Sequence, residues 1–247
     1  MELYPFPHLL IENFLEPSFA KICQEEILSL DMDSFDRYSN PFEQKWTFRD
    51  KNNLPINCKK LFEIFESEDF MDKLSNLVGE KLYKDPTKNW WGIHMYDNGD
   101  YLDIHSDAGI HPVTKQKKHI TLGLYLSKDW KPENGGYLEL WEGNSVLSKK
   151  PEITVCCKKI LPKFNTLILF VNNTVAWHGN PEPVKVDKEK RIFVTLSYLS
   201  DKHDNGKEKA YFVKRPSDPE NEEKDRLRIL RADSEKCKNV YVVNVFK

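Results

Sequence analysis

His105 and Asp107 stand two residues apart in "YLDIHSDAGIHP", where an alternating apolar run gives way to a polar loop. In a strand, positions i and i+2 share a face, so both side chains can reach one point in space. Alone, such a pair carries little weight, because a chain with seven histidines and many aspartates meets it by chance. His178, in "NTVAWHGNPEP", supplies a third member: it too closes an apolar run just before a turn. Two imidazoles and one carboxylate on one face form a ligand set for non-haem ferrous iron. Such a set leaves three coordination positions open.

A fourth residue points the same way. In "RIFVTLSYLS", Arg191, Phe193, Thr195 and Ser197 share one strand face, and Ile192, Val194, Leu196 and Tyr198 share the other. An arginine on a polar inner face calls for an anion, since an unpaired buried charge is costly. A guanidinium meets a carboxylate through two parallel hydrogen bonds, so a dicarboxylate is its natural partner. "HITLGLYLS" divides in the same manner. Ile120, Leu122, Leu124 and Leu126 form its apolar face; His119, Thr121, Gly123 and Tyr125 form its polar face, the glycine letting a ligand lie close. Thr121, Tyr125, Arg191 and Thr195 are therefore expected to converge on a carboxylate.

These residues need a β scaffold, and the pattern supplies one. From about residue 89 the apolar period is two, through "WWGIHMY", "YLDIHSD", "HITLGLYLS", "YLELWEG", "EITVCCKKI", "TLILFV", "AWHGNPEPV" and "RIFVTLSYLS". Turn signals such as Asp97-Asn98-Gly99 and Glu133-Asn134-Gly135-Gly136 separate many of them. So many short strands predict a mainly β fold with flanking helices, its core a double-sheet jelly roll. Ahead of it, a short strand is expected at 8–14 and helices at 17–30 and 68–82, the helices covering one sheet's outer face. The expected organisation is one domain over 1–247: supporting elements in 1–85, the β core in 86–200, and an extension in 201–247. The extension reads as a solvated helix, "ENEEKDRLRILRADSEK", and a last strand, "NVYVVNVF".

Bulk properties narrow the classes. A net charge of -2 does not favour a nucleic-acid binder. The start, "MELYPFPHLLIENF", lacks the layout of a secretory signal, and no apolar run approaches the roughly 20 residues of a membrane span. The five cysteines are odd in number and form no C-x-x-C pair, which fits buried thiols in the cytoplasm. Cys156 and Cys157 are expected on opposite faces of one strand.

In order along the chain, "MYDNGDYLDIHSD", "HITLGLYLSKDW", "ENGGYLELW", "FNTLILF", "WHGNPEPV" and "RIFVTLSY" resemble the Fe(II)- and 2-oxoglutarate-dependent dioxygenases, in their prolyl 4-hydroxylase-like branch. The opening "YPFPHLLIENFL" is similar to the start of many such enzymes. The resemblance implies a double-stranded β-helix in which His105, Asp107 and His178 bind Fe(II). It gives Arg191, helped by Tyr125 and Thr195, the distal carboxylate of 2-oxoglutarate. Tyr96 and Tyr101 match aromatic positions flanking cosubstrate or substrate. The interval from His178 to Arg191 is a few residues longer than in most members, so Lys190 is the neighbour to be distinguished from Arg191; alternation favours Arg191. The implied reaction uses O2, with ascorbate as an accessory, and hydroxylates an unactivated C–H bond while releasing succinate and CO2.

A prolyl residue of a protein or peptide is the leading substrate. A sugar or free amino acid, or a jelly-roll binding module without turnover, are the alternatives. Among other residues, His111 reads as a solvent-exposed loop histidine or substrate contact, and His94 as an interior histidine. Of Trp90 and Trp91 at least one belongs to the core. Trp141 and Trp177 are candidates for the cleft wall, and 36–53, "DRYSNPFEQKWTFRDKNN", for a mobile substrate loop.

Overall fold

Alternation gives the strands Lys117–Tyr125 and Arg191–Ser200 two faces, one packed under helices and one turned to a cavity. The computed structural model describes residues 1–201 and 209–232. It begins with β1 (His8–Glu12), α1 (Pro17–Leu28), a hairpin of β2 (Asp36–Asn40) and β3 (Glu43–Phe48), α2 (Ile56–Phe65), α3 (Glu68–Val78) and β4 (Tyr83–Lys84). Eight strands follow: β5 (Trp91–Tyr96), β6 (Tyr101–Ser106), β7 (Lys117–Tyr125), β8 (Leu138–Gly143), β9 (Ile153–Ile160), β10 (Thr166–Val171), β11 (Trp177–Asn180) and β12 (Arg191–Ser200). β13 (Tyr211–Phe212) and α4 (Glu222–Ala232) end the described chain.

All pairings are antiparallel, in the order β1-β10-β7-β12-β5-β3-β6-β11-β8-β9, with β2 on β3, β4 on β12 and β13 on β6. The sheet curls into the expected double-stranded β-helix. Side chains of β6, β8 and β11 and of β5, β7, β10 and β12 line one common cavity. The apolar faces read in the sequence form the other layer: Ile120, Leu122, Leu124, Leu126, Ile192, Val194, Leu196 and Tyr198 join Ala20, Cys23, Ile27, Leu61, Phe62, Phe65 and Leu74 of the helices in one core. Each such large side chain is worth roughly 1.5–3 kcal/mol on burial. This core fixes the helices to one side and leaves the polar faces to the cavity.

Three departures from expectation bear on function. α2 was not foreseen, although Cys58, Leu61, Phe62 and Phe65 follow a helical stripe; Glu26 of α1 caps it, accepting from the backbone N–H groups of Asn57 and Cys58 at 2.9 Å each. Residues 36–48 are not a loop but the β2–β3 hairpin, with β3 wedged between β5 and β6. Its inward residues are Glu43, Lys45 and Thr47, all buried, so the apolar alternation that announces a strand is missing. A bidentate Arg37–Asp100 pair, at 2.7 and 2.6 Å, ties β2 to the turn before β6.

The third departure is α4, which is docked rather than solvated. Lys224 and Arg228 reach Asp103 at 2.8 and 3.6 Å, and Arg231 reaches Glu43 at 3.4 Å. The last strand expected at "NVYVVNVF" lies outside the described residues.

Candidate metal centre

β6 and β11 pair with His105 directly opposite His178, and Asp107 follows one residue past the end of β6. The three side chains offer ligand atoms that all lie within 4.8 Å of one another. Asp107 Oδ1 is 3.5 Å from His105 Nε2, and Oδ2 is 3.9 Å from His178 Nε2. Both imidazoles are held alike: Nδ1 of His105 donates to the Asp103 carbonyl at 2.9 Å, and Nδ1 of His178 to that of Ala176 at 3.0 Å. This fixes the tautomer that turns an unprotonated Nε2 toward the cluster. Phe212 of β13 stacks on His105, and Phe170 packs against His178.

Asp107 has its own supports. Lys118 Nζ reaches its Oδ2 at 2.6 Å, and the Thr121 hydroxyl donates to the same atom at 3.2 Å. Thr121 in turn accepts from Asn172 Nδ2 at 2.9 Å, which directs its own hydrogen toward Asp107. Burial raises the Asp107 pKa, but Lys118, His105 and His178 outweigh it and hold the carboxyl well below its usual value. Thr121 thus braces the metal-side carboxylate instead of serving a cosubstrate carboxylate as expected.

Lys118 was missed because alternation puts it on the apolar face with Ile120. The β7–β12 pairing slips at His119, between the Tyr198–Ile120 and Leu199–Lys118 pairs. Such a bulge reverses parity, so Lys118 enters the cavity wall and His119 leaves it for Ser200.

Arg191 lies across the cavity, 2% exposed. Its guanidinium carbon sits 4.7 Å from the Tyr96 ring centroid and 5.1 Å from that of Tyr125. Among the described residues it makes one hydrogen bond, from Nε to the Gly136 carbonyl at 2.8 Å. Gly135 and Gly136 turn there with φ of 66° and 61°, and a Cβ on Gly136 would lie 3.0 Å from Arg191 Cδ. Only glycine brings that carbonyl so near. Among the described residues the buried Tyr125 hydroxyl has no hydrogen-bond partner, and burial pushes its pKa up to about 12 against the pull of Arg191. Lys190 instead pairs with Asp97 and lies outside the cavity wall, which Arg191 lines.

The cavity encloses about 860 Å³ and is lined by His105, Asp107, His178, Tyr96, Tyr125, Arg191 and Thr195 among others. Two neutral imidazole nitrogens with one anionic carboxylate suit ferrous iron. A guanidinium with donors to spare beside an orphaned hydroxyl suits a carboxylate. The residues present therefore fit Fe(II) and 2-oxoglutarate.

Comparison with known proteins agrees. Residues 91–199 match the family model described as the 2OG-Fe(II) oxygenase superfamily. Over that stretch the β core is similar to the domain of this superfamily. The chain is similar to the prolyl 3-hydroxylase OGFOD1 of Mus musculus, 27% identical over 179 residues, which is 72% of this chain and 30% of that protein. It spans about a third of the length of the curated relatives it matches, 30% and 35%. Its fold is similar to that of a Pseudomonas putida prolyl-4-hydroxylase (TM-score 0.58, 14% identity, covering 81% of this chain and 95% of that one). It is also similar to a Trichoplax adhaerens prolyl hydroxylase in complex with a hypoxia inducible factor peptide fragment (TM-score 0.55, 17% identity, covering 80% and 86%).

Within the β core, several expected residues take other places. Tyr101 is not in the cavity wall; its hydroxyl donates to the Pro41 carbonyl at 3.1 Å and secures the hairpin. Thr195 does line the cavity, yet its hydroxyl donates to the Leu122 carbonyl at 2.8 Å. Gly123 makes room for the Phe193 ring rather than for a ligand, since an added Cβ would fall 1.9 Å from Phe193 Cζ. His111 is fully buried, with Nε2 at 3.1 Å from Asp85 and Nδ1 accepting from the Val113 and Thr114 amides. It anchors the loop after Asp107 and is neither exposed nor in the cavity wall.

Trp141 and Trp177 pack with Ile104, Val146, Ile153 and Val213 in a separate core and not in the cleft. Trp91 belongs to the helical core, while Trp90 lines the cavity under Lys118. Cys23 and Cys58 are buried, but Cys156 and Cys157 are partly exposed because they ride on β9 at the sheet's edge.

His94, on the cavity wall, is held neutral far below the usual histidine pKa by burial, then by the charges of Lys45 and Arg49. Burial and then His105 lower His178 to about 3, against Asp107. An unfolded chain protonates both near pH 6.5, so below that pH it binds more protons than the folded one. The stability these groups contribute is complete above about pH 6.5 and is lost as pH falls. The metal-free protein is expected to lose urea midpoint steadily from pH 7 to 5, with a shallower loss in His94→Gln; a flat midpoint in the parent contradicts this.

Proposed function

We propose that this protein is an Fe(II)- and 2-oxoglutarate-dependent dioxygenase that hydroxylates a prolyl residue of a protein or peptide. The observation that carries the reading is the convergence of His105, Asp107 and His178 opposite a buried Arg191 in one cavity. The relatives named prolyl hydroxylases, one of them with a peptide bound, support the substrate class. Among the described residues no helix is long and apolar enough to cross a membrane, and the free thiols suit the cytoplasm as its compartment.

In this reading His105, Asp107 and His178 hold the iron. Arg191 takes the far carboxylate of 2-oxoglutarate through the guanidinium nitrogens that Gly136 does not use, and the Tyr125 hydroxyl gains its missing partner there. When bound, iron and 2-oxoglutarate together supply an O2-dependent oxidant for an unactivated C–H bond, with succinate and CO2 as co-products. The chain's own work is placement. Tyr96 and Tyr125 pack their rings against the guanidinium, Thr121 aims Asp107, and Phe170 and Phe212 pack against the imidazoles.

Lys118 neutralises Asp107 when no metal is present. Lys118→Met leaves a largely buried carboxylate without its counter-charge, at a cost on the order of 3 kcal/mol. The metal-free variant should melt well below the parent, and Mn(II) should raise its melting temperature more than it raises the parent's. Equal shifts in the two proteins contradict that role.

The function itself is tested by binding Fe(II) and 2-oxoglutarate without oxygen, then admitting oxygen and measuring succinate with prolyl peptides, sugars and free amino acids. Peptide-dependent succinate with a hydroxylated proline supports the proposal, and NMR of the product gives the carbon attacked. Succinate stimulated only by a sugar or amino acid moves the substrate to that class. Failure of the protein to bind 2-oxoglutarate at all leaves a jelly-roll binding module.

A further inference from the structure

Among the described residues, three side chains on the cavity wall carry a buried polar atom with no hydrogen-bond partner: Trp91 Nε1, Tyr125 Oη and Asn180 Nδ2. Trp91 packs against Phe62 in the helical core, 4.3 Å between ring centroids, and belongs to that layer. Tyr125 stands beside Arg191 and is already part of the proposed cosubstrate site. Asn180 remains unexplained. It is 2% exposed, and a buried amide N–H2 without an acceptor is a standing penalty in a folded protein.

Its position narrows what could relieve that penalty. Asn180 follows His178 by two residues in β11, so the two share a strand face. The β11–β6 register shifts between the His178–His105 and Asn180–Leu102 pairs, the extra residue falling in β6, so the parity of β11 is kept. Leu102 packs on the cluster of Tyr96, Trp130 and Val184, and Tyr96 is the ring under the Arg191 guanidinium. Asn180 therefore sits beyond His178, on the side of the cavity where Arg191 waits. A neutral donor there, next to anionic oxygens, can bind without demanding a counter-charge.

We propose that Asn180 is a cosubstrate-positioning residue whose carboxamide N–H2 donates a hydrogen bond to 2-oxoglutarate. The inference rests on the oxygenase reading above. It differs from a structural role in one respect: among the described residues the side-chain nitrogen has no partner, so an apolar residue of similar size loses no bond to them.

The test is calorimetric titration of the Mn(II)-loaded protein with 2-oxoglutarate under argon, alongside Mn(II) affinity and thermal melting of the metal-free form. Asn180→Leu is expected to weaken 2-oxoglutarate about tenfold, the range of one hydrogen bond to a charged group. Mn(II) affinity should be unchanged and the melting temperature equal or higher. These opposite signs are the signature, because a structural asparagine would lower both. Should the leucine variant not fold, Asn180→Asp is read instead. It places an anion beside the cosubstrate and should weaken 2-oxoglutarate by more than tenfold while Mn(II) affinity holds or rises. A 2-oxoglutarate titration that superimposes on the parent's in either variant overturns the proposal, as does a loss confined to Mn(II). A parent protein that binds no 2-oxoglutarate fails the oxygenase reading, which is a separate result.

Discussion

His178→Ala is expected to leave the chain folded and unable to retain metal. The substitution removes one of three Nε2 or carboxylate donors gathered within 4.8 Å and leaves His105 and Asp107 alone. Losing only an outer hydrogen bond to a metal ligand costs about 10- to 100-fold in metal affinity, so losing the ligand should cost more than about 100-fold, with turnover falling alongside. The fold should survive, because His178 is a buried imidazole that resists protonation, and its loss opens a modest gap beside Phe170.

His8→Ala is the control. His8 is fully buried and makes the same Nδ1 bond to a carbonyl two residues back, that of Phe6 at 2.9 Å, but lies outside the cavity wall. It should retain Mn(II) with parent affinity. Mn(II) binding by His178→Ala at the parent's affinity would remove the metal centre from this site, and with it the catalytic reading.

Arg191→Ala should instead preserve metal and abolish useful cosubstrate binding. A buried charge-paired hydrogen-bonding group is worth about 2–5 kcal/mol to its partner, which corresponds to roughly 30- to several-thousand-fold in the 2-oxoglutarate concentration required. Lysine should recover little of this. The guanidinium lies against the Tyr96 and Tyr125 rings with Gly136 as one acceptor, and an ammonium neither stacks there nor presents two parallel donors. Lys190→Ala, which breaks only the surface pair with Asp97, should leave the cosubstrate requirement near the parent's. Succinate formation against 2-oxoglutarate concentration decides it: an Arg191→Ala curve that overlays the parent's takes the guanidinium out of the cosubstrate site.

Much of this was legible from the residues because strand parity is local. The i, i+2 rule alone placed His105 beside Asp107. It put Arg191 and Thr195 on the cavity side of β12, and it sent Ile192, Val194, Leu196 and Tyr198 under the helices. The same rule favoured Arg191 over Lys190 as the residue that faces the cavity. The partner from a strand far along the chain, His178, was read from its own place at the end of an apolar run before a turn, and the resemblance in motif order agreed.

What parity could not give was anything set by contacts between distant segments. One bulge at His119 exchanged Lys118 for His119 in the cavity wall, and no propensity in "KKHITLG" announces it. The β2–β3 hairpin kept its charged residues inward, paired as Lys45 with Glu43 at 2.9 Å, so its sequence looked like a loop. His111 was judged by its polar neighbours, yet Asp85, from a different turn, buries it. α4 was judged by its own charges, while Asp103 and Glu43 on two strands hold it against the sheet. The sequence by itself determined which residues of β6 and β12 face the cavity and which ligand types stand there. Only the tertiary structure decided which groups support them, because those pairings are made by residues that meet through folding and not through spacing.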